Sequence, residues 1–287
     1  MKSNYTMAQK ILVIVEVIAV FLLGTILGSV LLNMTNIKGW IDESEIILTT
    51  IPIDFWGLTS RNFASSLFKY ASIFILMYVL LTRISKTSKV ELIGLTIPSY
   101  ASRKFIKVVL LILFTGGILP KLLFTLNRQG IIEGGPQHWF IFDQNWGAGF
   151  WAFMMIGSII IPPLVEEIFF RGYMQGRLHR VFSPGLAIFI TASTFTLFHT
   201  QYLLPDPLSL LLLISLFVSA LILSYSRWIT GSIIPGMVAH ALVNIPFNTM
   251  WTIVWLITAM CLLFVWRNDV INHFKNFYLK IINKSTS

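Results

Sequence analysis

Apolar runs of bilayer length constrain this chain more than any other feature. A helix crossing a bilayer needs about 20 predominantly apolar residues, because lipid offers no partner for backbone N–H and C=O groups. Runs of that kind cover residues 11–34, 64–82, 105–126, 146 to beyond 170, 184–204, 208–228, 232–248 and 250–266. The last two are short and nearly continuous, and they read either as two spans or as one kinked element. Only 11% of the residues are charged and 56% are hydrophobic, whereas a soluble domain is roughly 25% charged. The expected fold is therefore all-α: a polytopic membrane helical bundle of about eight transmembrane helices. It divides into N-terminal helices and loops over residues 1–146, a helical core over 147–250, and a last span with a basic tail over 251–287.

Charge is distributed as a membrane topology requires. The net charge is +9, but the cations sit between the apolar runs, so membrane orientation accounts for them and nucleic acid is not an expected partner. Arg83, Lys86, Lys89, Arg103, Lys104 and Lys107 crowd one connection. Arg177 and Arg180, then Arg227, then Arg267, Lys275, Lys280 and Lys284 mark later ones. The intervening connections carry Asp42, Glu43, Glu45 and Asp54, then Glu133 and Asp143, then Asp206. With an even number of spans all basic connections fall on one side, which the positive-inside rule makes cytoplasmic, with both termini there in the cell membrane. The first run is longer than the roughly 7–15 residues of a signal-peptide core and lacks a small-residue cleavage site, so it reads as a retained helix. A single cysteine, Cys261, excludes an internal disulfide framework. The tail, residues 270–284, reads equally as an amphipathic helix on anionic lipid or as a plain basic tail.

Ionisable side chains inside a bilayer are costly and by default face a partner or a cavity. Three groups meet that description. Glu166, Glu167 and Arg171 follow Pro162-Pro163 in the fourth run. Glu167 and Arg171 share a helix face and can pair, while Glu166 is rotated by about 100° and can point to a neighbouring helix. Phe195 and His199 lie in the fifth run, and His240 and Asn244 share a face in the seventh. Taken singly, the first group also suits an interfacial acidic patch at the end of a span, and the two histidine groups suit ordinary interhelical hydrogen bonding. At the helical rise, His240 lies ~14 Å and His199 ~22 Å from the cytoplasmic edge, and Glu166 reaches ~16 Å only if its helix continues to about Arg177. The fourth helix is thus expected to run past Arg171, with a kink at Pro162-Pro163. Glu16 is expected near the cytoplasmic interface of the first helix.

A carboxylate beside a histidine can deprotonate a water. A second histidine with an amide can stabilise the oxyanion formed when that water attacks a carbonyl. Alternatively, Glu166, His199 and His240 could be three zinc ligands around an open position. The H-E-x-x-H zinc helix and the G-x-S-x-G nucleophile motif are absent.

Glu166-Glu167-x-x-x-Arg171, Phe195-x-x-x-His199 and His240-x-x-x-Asn244, in that order, resemble the three motifs of the CAAX protease and bacteriocin-processing family of intramembrane endopeptidases. Arg171-Gly172 and the run from Gly231 to Pro235-Gly236 resemble it as well, and the likeness covers roughly residues 147–248. The resemblance implies that Glu166 and His199 activate water, that His240 and Asn244 bind the oxyanion, and that Glu167, Arg171 and Phe195 support the site. It implies a peptide or membrane-protein substrate, with zinc or no cofactor. Bacterial members are associated with bacteriocins, pheromones or self-immunity, while eukaryotic members act on prenylated CAAX proteins. A non-catalytic immunity or scaffold protein of the same fold is the contrasting expectation. A transporter fits less well, because no internal repeat is visible.

Overall fold

The structure, a computed structural model, describes residues 5–34, 55–84, 93–96, 103–135 and 155–244, together with Ile257, Met260 and Phe264. The described residues are helical, with no strand among them. In chain order the helices are α1 (Met7–Met34), α2 (Phe55–Ile84), α3 (residues 103–128), α4 (residues 155–181), α5 (Pro184–Leu197), α6 (Pro207–Thr230) and α7 (Ile234–Val243). Four segments are long and apolar enough to cross a membrane: Met7–Met34, Ala64–Leu81, Val108–Arg128 and Pro207–Thr230. They match the first, second, third and sixth runs. The expected eighth span, the basic tail and most of the charged connections lie outside the described residues.

The helix starts follow local chemistry. Thr6 and Gln9 form a reciprocal cap on α1, each side chain bonding the other's backbone N–H at 2.9 and 3.3 Å. Asp206 caps α6 by accepting from the Ser209 N–H at 2.8 Å, and it also takes the Gly135 N–H at 2.9 Å. The Ser209 N–H, followed by the other donors around it, holds the Asp206 carboxyl below the usual carboxylate range.

Helix α4 is the centre of the bundle, and α1, α2, α5, α6 and α7 all pack against it. Its winding changes along its length. Residues Met155–Ile160 and Glu167–Met174 are π-helical and flank α-helical Ile161–Glu166. Pro162 and Pro163 lack the N–H that an α-helix would use, and the α-helical stretch that contains them follows directly on a π-helical one. Every residue of Glu167–Met174 is buried. The helix passes Arg171 and ends at Val181, which satisfies the condition set by the depth of Glu166.

Helix α5 is shorter than its apolar run. It ends at Leu197, so His199 lies just beyond a helix end and not deep within a helix as expected. The hydrogen bonding changes at that point. The His199 imidazole Nδ1 takes the Phe195 carbonyl at 2.8 Å, and the His199 backbone N–H turns instead to the Thr196 carbonyl at 3.1 Å. A short 3₁₀ turn, Thr200–Tyr202, then leads away.

Two devices fasten the N-terminal helices to this centre. Gly24 and Gly28 let α1 and α2 meet backbone to backbone: an added Cβ would lie 2.8 Å from Ile73 Cα at Gly24 and 2.6 Å from Lys69 Cα at Gly28. This is the small-residue spacing by which membrane helices pack closely. Glu16 supplies the second device. Its carboxylate accepts from Tyr173 Oη at 2.7 Å and from Arg177 Nε and Nη2 at 2.9 and 2.6 Å. Glu16 is thus a cross-link from α1 to α4 and more than an interfacial charge. Phe21 of α1 completes the contact, stacking on Phe198 at 4.2 Å and meeting Phe169 and Phe170 at 5.5 and 5.4 Å.

Gly28→Leu should separate α1 from α2. Thermal unfolding in detergent should show a loss of about 1–3 kcal/mol, the usual cost of forcing bulk into a packed contact; an unchanged midpoint would contradict the close approach.

Candidate active site

The site grows from one face of α4 and the residues that α5 and α7 bring to it. Glu167 and Arg171 are both fully buried and paired at 2.9 Å. In low dielectric such a pair relies on further partners to offset its desolvation. The same Glu167 oxygen, Oε1, accepts from His240 Nδ1 at 3.0 Å. Arg171 Nη2 reaches the Ala220 carbonyl of α6 at 3.4 Å. The guanidinium also lies over the Phe195 ring, 4.2 Å from its centroid, a favourable placement for a cation on an aromatic face. Glu167 Oε2 and Arg171 Nε have no hydrogen-bond partner among the described residues. Gly236 explains how α7 comes so near, since a Cβ there would stand 3.0 Å from Glu167 Oε2.

Phe195 sits at the hub. Besides Arg171, its ring meets Phe170 edge-on at 5.1 Å, His199 at 4.5 Å and His240 edge-on at 5.8 Å. One aromatic side chain therefore sets the spacing between the two imidazoles. Tyr202 stacks on the other side of the His199 ring at 6.4 Å.

Both histidines are held by Nδ1. His240 donates from Nδ1 to a carboxylate, and His199 donates from Nδ1 to a carbonyl. In each ring Nε2 is then the nitrogen left for chemistry. His240 Nε2 lies 3.9 Å from Glu166 Oε2. His199 and His240 are the two histidines within electrostatic reach of Glu166. The two adjacent glutamates consequently differ in kind. Glu167 is committed to Arg171 and His240, whereas Glu166 faces the imidazoles. Asn244 follows His240 by one turn at the end of α7, with its backbone N–H on the His240 carbonyl at 3.1 Å.

The structure thus brings Glu166, Glu167, Arg171, Phe195, His199 and His240 into one cluster, with Asn244 beside it. Two neighbours of that cluster were not anticipated. The Tyr70 hydroxyl of α2 donates to Glu166 Oε1. Lys69, next to it, lies within electrostatic reach of Glu166 and His199. Its ammonium packs over the Phe21 and Tyr70 rings at 5.5 and 5.1 Å. Lys69 could have been found by the criterion that singled out Glu166, since it is a charge inside an apolar run. Tyr70 carries no such signal.

A zinc ion would require three donors converging on one point. Glu166, His199 and His240 have suitable chemistry, but among the described residues no three His, Cys, Asp or Glu side chains are arranged to hold a metal ion. The Tyr70 hydroxyl moreover occupies one Glu166 oxygen.

Removing one partner of the buried pair should be far worse than removing both. Glu167→Ala should cost about 3–5 kcal/mol of stability. Glu167→Leu combined with Arg171→Met should restore the thermal midpoint. Any hydrolytic activity should stay low in both proteins, because His240 Nδ1 has lost its acceptor.

Comparison with curated proteins and with solved structures gave no match. Comparison with family models matched residues 148–246 to the family described as Rce1-like, type II CAAX prenyl endopeptidase Rce1-like. The matched stretch contains all seven motif residues, from Glu166 to Asn244, while Lys69 and Tyr70 lie outside it. Over these residues the chain is similar to the Rce1-like endopeptidases, consistent with a membrane protease of the CAAX protease and bacteriocin-processing family.

Proposed function

We propose that this protein is an intramembrane endopeptidase that hydrolyses a peptide bond of a membrane-associated peptide or protein with a glutamate-activated water. The observation that carries the reading is the inequality of the two glutamates. Glu167 is neutralised by Arg171 and bound to His240, which leaves Glu166 as the carboxylate 3.9 Å from His240 Nε2 and within electrostatic reach of His199.

In the proposed reaction Glu166, assisted by His199, takes a proton from a water as the water oxygen attacks the scissile carbonyl carbon. The carbonyl oxygen becomes an oxyanion, which His240 and Asn244 stabilise. Donating from Nε2 while Nδ1 donates to Glu167 requires a proton on each ring nitrogen of His240 during this step. Collapse of the tetrahedral intermediate breaks the C–N bond, and Glu166 returns its proton to the departing amine. The scheme is written without a metal, a choice supported by the lack, among the described residues, of three converging His, Cys, Asp or Glu donors. The orientation proposed with it, multi-pass with both termini cytoplasmic, rests on the alternation of basic and acidic connections.

The matched family's description names prenylated CAAX substrates, which makes a prenylated CAAX peptide the first probe. The reading extends to unprenylated membrane peptides, including those processed or countered in bacteriocin and pheromone systems. Glu166→Ala, His199→Ala and His240→Ala should each lower cleavage by about 100- to 10,000-fold while leaving expression and detergent elution unchanged. Peptide profiles of membranes holding the wild type or Glu166→Ala should differ in discrete cleavage products, and those products give the scissile sequence. Activity should persist in the presence of a zinc chelator. Full activity of Glu166→Ala would refute the reading, and loss of activity on chelation with recovery on zinc addition would refute its metal-free form.

A further inference from the structure

We infer that Tyr70, on α2 and outside the stretch that resembles the endopeptidases, is a positioning residue that assigns separate tasks to the two oxygens of Glu166. The inference rests on Glu166 being the base.

A carboxylate is a two-oxygen group whose rotation exchanges the oxygens, and a base that rotates freely meets its water in the right geometry only part of the time. Tyr70 removes that freedom. Its hydroxyl donates to Oε1, so Oε2 is the oxygen turned toward His240 Nε2, 3.9 Å away. That separation is too long for a direct hydrogen bond, so Oε2 keeps its lone pairs free of the imidazole. The reacting water is therefore assigned to Oε2.

The hydroxyl itself is held by its surroundings. Tyr70 is buried at 7% exposure, and the Lys69 ammonium lies 5.1 Å from its ring centroid. The close approach of α1 at Gly28 fixes the backbone of Lys69, the residue before it. The groups facing Glu166 are then Tyr70 and Lys69 from α2, His199 beyond α5, His240 from α7, and Arg171 from its own helix. Of these, the Tyr70 hydroxyl makes the direct hydrogen bond to the Glu166 carboxylate. The N-terminal helices thereby supply part of the reaction geometry in addition to anchoring the core.

The test compares two substitutions at position 70. Tyr70→Phe deletes the hydroxyl, and 3-fluorotyrosine placed at position 70 keeps it. Both are assayed in detergent on an internally quenched peptide carrying the scissile sequence from the membrane-profile comparison, beside Glu166→Gln. Tyr70→Phe should lose about 10- to 100-fold in kcat, the usual effect of removing a group that orients a reacting residue, with KM unchanged and with unaltered elution and thermal midpoint. The fluorotyrosine protein should keep wild-type kcat. Unimpaired kcat in Tyr70→Phe overturns the inference, and so does an equal loss in both proteins, which would indicate packing. Glu166→Gln separates the two levels. If it cleaves like the wild type, the reading of the site fails. If it is inactive while Tyr70→Phe is unimpaired, only the role of Tyr70 fails.

Discussion

A single ion pair in a dry setting organises this molecule. Glu167 and Arg171 are fully buried, and two charges in such a place are stable only when their geometry and secondary partners are good. Those partners fix neighbouring elements. Arg171 reaches the α6 backbone and covers the Phe195 ring of α5, and Glu167 takes the Nδ1 proton of His240 from α7. Four helices are thereby tied to one charge pair. The pairing also sets the chemistry, because it spends Glu167 on structure and leaves Glu166 to the imidazoles.

The N-terminal helices depend on the same centre. The carboxylate of Glu16 grips Arg177 and Tyr173, within two turns beyond Arg171 on α4. Close packing at Gly24 and Gly28 then carries α2 into register with α1, so that Tyr70 arrives at Glu166. A lesion in the α1–α2 contact would therefore reach the reacting carboxylate without touching a motif residue. This coupling runs through direct contacts: backbone against backbone, then one hydroxyl on one carboxylate.

Much of this was legible in the sequence because lipid makes polar side chains expensive. Glu166, Glu167, Arg171, His199 and His240 stood out against apolar runs, and their depths required α4 to continue past Arg171, as it does. The end of α5 was not legible. Its run stays apolar to Leu204, and hydropathy carries no sign that the helix will stop at Leu197 or that the His199 imidazole will turn back to the Phe195 carbonyl. The role of Glu16 was half legible: its position in an apolar helix was clear, but its partner lies on a distant helix. Tyr70 was hidden altogether, since a tyrosine in a membrane helix carries no charge that demands an explanation. Span counting likewise saw only length and hydropathy, and so could not separate α5 and α7, which are short, from helices long enough to cross a bilayer.

The central claim is that Glu166 delivers water directly to the scissile carbonyl, with no covalent intermediate. The most direct measurement is a single turnover of the purified protein on its peptide in ¹⁸O-water with hydroxylamine present, read by mass spectrometry. The account predicts one solvent oxygen in the new carboxylate and no hydroxamate. A hydroxamate product, or a peptide covalently attached to the protein, would contradict it.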